Sequence, residues 1–106
     1  MTKEEINYIV NAFVEAGRRI KESSFDGVEI HGAHTYLINQ FLSLYSNRRT
    51  DEYRGSLKNR IRFLIEIYYK IREKVGDDFP ILVKLTSSEF FESGLAFDET
   101  KLICKN

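Results

Sequence analysis

Two short aliphatic runs, F-D-G-V-E-I-H at residues 25–31 and P-I-L-V-K-L-T at residues 80–86, each follow a long amphipathic stretch. This alternation constrains the fold more than any other feature of the chain. Thr2 and Glu5 have capping-box spacing, and Ile6, Ile9, Val10, Phe13, Ala16 and Ile20 recur at helical intervals, which predicts a helix over 3–22. Ser56 is placed to cap a second long helix, whose Leu57, Ile61, Leu64, Ile65, Tyr68, Ile71 and Val75 form one stripe until Gly76 ends it. Residues 35–44 predict a short helix, S-N-R-R-T-D-E-Y-R-G a polar connection, and another helix begins near Asp98. Nearly continuous apolar strands alternating with helices predict an α/β fold with a parallel sheet covered by helices.

Two strands leave edges with unpaired backbone groups, which complete α/β domains remove by adding strands or closing a barrel. The expectation is therefore a single partial domain over residues 1–106. It would be a segment of a larger α/β protein, roughly two-fifths of a barrel of about 250 residues. Unpaired strand edges also predict a homo-oligomer.

Sixteen Lys plus Arg balance sixteen Asp plus Glu, so neither nucleic acid nor an anionic membrane is expected as a partner. Asp51 and Glu52 interrupt the basic cluster Arg48, Arg49, Arg54, Lys58, Arg60 and Arg62, which reads as a solvated or locally paired surface. The single cysteine, Cys104, has no partner for an internal disulfide and no zinc-site spacing around it. No apolar run approaches the roughly 18 to 20 residues that span a bilayer, and the N-terminus lacks a signal-peptide core. These features predict a cytoplasmic protein.

In parallel α/β proteins chemistry gathers where strands give way to loops at their C-terminal ends. There the sequence E-I-H-G-A-H-T-Y, residues 29–36, brings the only two histidines, His31 and His34, together with Tyr36. The second run ends on Lys84 and Thr86. Strand alternation puts Val28 and Ile30 on one face and Glu29 and His31 on the other. Three readings of the histidines stay open on spacing alone. They are metal ligands lacking a third partner, packing groups, or two N–H donors converging on one oxygen with the Tyr36 phenol as a nearby proton source. Lys84 reads either as an edge-strand charge or as the partner of a phosphate or an anionic cofactor ring.

The stretches F-D-G-V-E-I-H-G-A-H-T-Y-L-I-N-Q-F-L-S and N-R-R-T-D-E-Y-R-G-S-L-K-N-R-I-R-F-L closely resemble the old yellow enzyme family, the NADH:flavin oxidoreductases. G-D-D-F-P-I-L-V-K-L-T and S-G-L follow in family order, and the resemblance runs from about Thr2 to Asp98. It implies an FMN-binding (β/α)8 TIM barrel, of which this chain holds helix 3, strand 4, helix 4, strand 5 and the start of helix 5. The implied parent is an ene-reductase with FMN as cofactor and NAD(P)H as reductant. Its substrate is a small-molecule activated alkene, such as an enone or enoate, or another electron acceptor.

By resemblance, His31 and His34 bind the oxygen of the activating group, Tyr36 protonates the alkene carbon beside it, and Lys84 lies near the flavin N1 and C2 carbonyl. The implied cycle is ping-pong, with hydride passing from NAD(P)H to FMN and from flavin N5 to the alkene β-carbon. No metal site is implied, and the segment by itself is expected to be inactive. The chain departs from the family pattern at Leu44, Arg54 and Lys84, where Pro, Gly and Arg are usual, so Arg54 is expected to be strained. Two alternatives of other classes are a self-associating structural segment without catalysis and a small metal-binding α/β domain.

Overall fold

The computed structural model describes residues 1–105. Its elements in chain order are α1 (Lys3–Glu22), β1 (Val28–Gly32), α2 (Leu37–Leu42), α3 (Leu57–Val75), β2 (Ile81–Leu85) and α4 (Phe97–Ile103). The two strands pair in one sheet. The Val28 N–H donates to the Pro80 carbonyl at 3.0 Å, and Gly32 lies against the Lys84 carbonyl, four residues further along both strands. The strands therefore run parallel, as the alternation predicts. The described residues form two compact units, 1–30 with 65–82 and 31–64 with 83–105.

In the first unit, α1 starts on the expected capping box. The Glu5 N–H donates to Thr2 Oγ1 and the Thr2 N–H to Glu5 Oε2. Its apolar stripe buries Ile6 and Val10, while Ile67, Ile71 and Val75 are buried from α3 and Ile30 from β1. Gly17 allows a close helix contact, since a Cβ there would sit 3.2 Å from Ile71 Cγ2. Gly76, at φ +89, ends α3 in the left-handed conformation, and the Arg72 guanidinium donates to the Gly76 and Phe79 carbonyls beyond it. Lys21 Nζ donates to the Val75 carbonyl, which satisfies another of the helix's terminal acceptors.

The second unit is built around aromatic packing. Phe41 stacks on Phe63 with centroids 4.3 Å apart and meets Tyr53 edge-on at 5.9 Å. Ser56 caps α3 through the Asn59 N–H. The polar connection is ordered by Asn47, whose buried amide donates to the Phe41 and Tyr53 carbonyls. Its arginines are locally engaged. Arg49 pairs with Asp51 at 2.6 Å, and Arg54 and Arg62 donate to the Asn47 and Glu52 carbonyls. Arg60 is buried and donates to the Leu42 carbonyl and to Glu99 of α4.

Two local expectations are corrected. Arg54 is not strained, because the left-handed position falls on Gly55 at φ +98. The short helix occupies Leu37–Leu42 and not the whole of 35–44, because Tyr36 offers no side-chain cap and Ser43 is already extended.

Candidate functional site

Alternation along β1 puts Glu29 and His31 on the face opposite Ile30, as expected, and with two strands that face is exposed while Ile30 is buried. The strand ends at Gly32, where a Cβ would meet the Lys84 carbonyl at 3.0 Å, and Ala33 is buried immediately after it. Here the chain turns sharply. His34 and Thr35 adopt φ of 57° and 61°, a left-handed conformation that is costly for residues with a Cβ and most unusual for a β-branched one.

This turn gathers three of the four expected site residues. The His31 and His34 rings meet edge to face with centroids 5.2 Å apart, and the Tyr36 ring lies 5.0 Å from His31. All three side chains are exposed, Tyr36 by 62%. The Ala33 N–H donates to His31 Nδ1 at 3.4 Å, so a neutral His31 carries its proton on Nε2, as a donor on the far side of the ring. The fourth residue, Lys84, is exposed near the end of β2. Two imidazole donors and a phenol on one turn are equipped to hold an oxygen and deliver a proton. Among the described residues no three or more His, Cys, Asp or Glu side chains gather as metal ligands do, and no helix is long and apolar enough to cross a membrane.

Sequence reasoning missed what lies behind the turn. The His34 N–H donates to Thr86 Oγ1 at 3.1 Å, and that hydroxyl donates to Asn39 Oδ1 at 2.6 Å. Asn39 Nδ2 and Ser43 Oγ donate to the two carboxylate oxygens of Glu89, at 3.1 and 2.6 Å. Asn39 and Ser43 are 1% and 0% exposed. A polar residue inside the apolar run L-I-N-Q-F-L was the only trace of this network in the sequence.

Residues 1–105 match the NADH:flavin oxidoreductase / NADH oxidase family. The chain belongs to this family. Among its relatives in the NADH:flavin oxidoreductase family, an NADH oxidase of Thermoanaerobacter brockii is 48% identical over 99% of the chain and 16% of its own length. An NADPH dehydrogenase of Geobacillus sp. (strain WCH70) is 52% identical over 90% of the chain and 27% of its own length. The structure of a 2-naphthoyl-CoA reductase in complex with 2-naphthoyl-CoA matches with a TM-score of 0.96 and 45% identity, over 99% of the chain and 16% of that protein. A histamine dehydrogenase from Rhizobium sp. 4-9 matches with a TM-score of 0.93 and 36% identity.

The chain thus spans about a sixth to a quarter of the length of these NADH:flavin oxidoreductase relatives. Its fold is a segment of a TIM barrel, two strands of a sheet that eight would close. The NADH:flavin oxidoreductase family uses FMN and NAD(P)H. The donor set at the strand ends fits such a group in its chemistry. A lysine ammonium at Lys84 would suit the charge of an electron-rich ring, and the imidazoles and phenol would suit an oxygen-bearing acceptor.

Proposed function

We propose that residues 1–106, as one partial domain, supply the acceptor-binding edge of a cytoplasmic, FMN-dependent NAD(P)H oxidoreductase that reduces activated alkenes. His31 and His34 hold the oxygen of the activating group and withdraw electron density, which makes the β-carbon electrophilic. Tyr36 donates its proton to the carbon beside that group, and its exposure lets water restore the proton. Lys84 holds FMN by balancing negative charge on the ring. When bound, FMN supplies hydride taken from NAD(P)H. Product formation is balanced by one hydride to the β-carbon and one proton to the α-carbon. What carries this reading is the exposed cluster of the three rings on one strained turn.

The segment alone does not turn over, because two strands leave most of a flavin cradle to other parts of a barrel. Flavin fluorescence and NADPH oxidation measured on the purified chain with FMN check this, and tight binding with turnover overturns it. The site roles are tested by grafting residues 2–98 into the Geobacillus NADPH dehydrogenase in place of the matching segment. Tyr36→Phe in the graft lowers enone reduction by about 10²- to 10⁴-fold and leaves flavin reduction by NADPH unchanged. Equal enone reduction by Tyr36→Phe and the unaltered graft removes Tyr36 as the proton donor.

A second reading, a self-associating segment without catalysis, is favoured by Leu82 and Val83 of β2, which are 55% and 36% exposed. Light scattering that finds only monomer at high concentration rules this out, together with the homo-oligomer.

A further inference from the structure

Glu89 follows β2 in the run S-S-E-F-F-E-S-G-L and is half-buried. Its carboxylate accepts from three donors: Asn39 Nδ2 at 3.1 Å, Ser43 Oγ at 2.6 Å and the Leu95 N–H at 2.6 Å. Its own N–H donates to the Leu95 carbonyl at 2.8 Å, which closes the loop on itself. An ionised carboxylate only accepts, so it dictates the direction of every bond that follows. The Asn39 amide must turn its NH₂ to Glu89 and its oxygen to Thr86. The Thr86 hydroxyl then commits its proton to Asn39 and presents only lone pairs, one of which takes the His34 N–H. Thr86 is further anchored by its carbonyl, which accepts from Thr100 Oγ1 at 2.9 Å.

The receiving end of this chain is the left-handed turn at His34 and Thr35. Both residues are exposed. The Tyr36 N–H closes the turn on the Ala33 carbonyl and Gln40 Nε2 donates to the Thr35 carbonyl, and a costly backbone conformation persists only where its surroundings impose it. We propose that Glu89 is a positioning residue for the histidine pair: through Asn39 and Thr86, its charge fixes the His34 backbone and thereby the place of the His34 ring beside His31. The inference rests on the reading of His31 and His34 as the oxygen-binding pair. Its own content is the direction of the hydrogen bonds.

Amide exchange and histidine-ring resonances of the isotope-labelled chain test it, with and without a simple cyclic enone. In Glu89→Gln the side chain can donate as well as accept, and in Thr86→Val the relay is cut. Both speed exchange of the His34 amide by at least about tenfold, the protection expected from one hydrogen bond. Both also move the His34 ring resonances, while the Val10 and Ile71 amides keep their wild-type rates. Thr86→Ser, which keeps the hydroxyl, restores wild-type exchange and ring positions. Where Glu89→Gln does not fold, Glu89→Asp, whose shorter side chain cannot reach Asn39 and the Leu95 N–H together, takes its place in every comparison and is expected to free the His34 amide in the same way.

Unchanged His34 exchange and ring resonances in Glu89→Gln or Thr86→Val overturn the inference. So does faster exchange spread equally to Val10 and Ile71, because it marks a general loss of stability. The reading of the pair itself fails separately. If His34→Ala leaves the enone-induced shifts of the His31 ring intact while Glu89→Gln still frees the His34 amide, positioning stands and oxygen binding by the pair falls.

Discussion

The Thr86 hydroxyl stands between His34 and Asn39, accepting the backbone N–H of the first at 3.1 Å and donating to the side chain of the second at 2.6 Å. A group that satisfies two partners is costly to delete, here because the buried Asn39 oxygen loses its donor and the His34 N–H its acceptor. Thr86→Val, nearly the same shape, lowers stability by about 1–3 kcal/mol in denaturant unfolding. Thr86→Ser stays within about 1 kcal/mol of the parent, losing only a methyl group.

Thr35 sits at φ 61°, where an L residue pays about 1–2 kcal/mol, and the Gln40 side chain donates to its carbonyl at 2.7 Å. Thr35→Gly relieves that conformation and loosens the unfolded chain by about 0.5–1 kcal/mol, so thermal unfolding shows a net gain of up to about 1 kcal/mol. A loss above 1 kcal/mol would mean that the turn is not left-handed in solution.

Gly17 and Gly32 separate two kinds of close approach. The neighbour of Gly17 is the Ile71 side chain, which can shift, whereas the neighbour of Gly32 is the Lys84 carbonyl, which the sheet holds. Gly17→Ala gains helix propensity of about 1 kcal/mol against a tight contact and comes out near neutral. Gly32→Ala destabilises by about 1–3 kcal/mol, read from the same denaturation curves.

Arg60 is buried and serves the Leu42 carbonyl and Glu99 together. Its Nε also donates to the Gly55 carbonyl at 3.0 Å, so Arg60→Met leaves three acceptors unmet and costs about 2–4 kcal/mol, discounted because the Glu99 side chain is 26% exposed. Arg60→Lys does not restore stability, since one ammonium cannot span all three acceptors as a guanidinium fork does.

On α1, the hydrogen bond from Arg18 holds the Glu15 carboxyl below the ordinary glutamate range, and Glu15 raises the Arg18 guanidinium in turn. With the folded value below the unfolded one, the stabilisation is present above the unfolded value and disappears as pH falls through the folded one. Carboxyl NMR titration of Glu15 shows the lowered value, and Arg18→Gln returns it towards the ordinary range. Both groups lie at the surface, so added salt weakens the effect.

Helix and strand positions were legible because their periods are set by burial, and burial is written in the spacing of Ile6 and Val10 or of Val28 and Ile30. The placement of Glu29 and His31 on the face opposite Val28 and Ile30 followed from the same alternation. Glu89 was illegible because it acts on Asn39 and Ser43, 50 and 46 residues away, and no periodicity reports a bond that long in sequence. The left-handed turn was hidden for the opposite reason. Local preference at Thr35 argues against it, and the bonds that oppose that preference, from the His34 N–H to Thr86 and from Gln40 to the Thr35 carbonyl, are visible only in the folded chain. At Arg54 the family's glycine pattern misplaced the demand by one residue, which Gly55 meets.

Gly32 leaves no room for a side chain between β1 and the Lys84 carbonyl, directly before the turn that carries the histidines. A Cβ at this point would meet the Lys84 main chain and, at 3.3 Å, the Ile38 and Leu85 side chains, so the footing of the pair is set from the sheet and the network behind the turn and not from the exposed face. Substitutions at exposed Phe90 or Phe91 of the same unit can then alter its surface while the histidines keep their stance. A fixed mount beside replaceable walls is an arrangement that lets the surface of the unit diverge without rebuilding the turn.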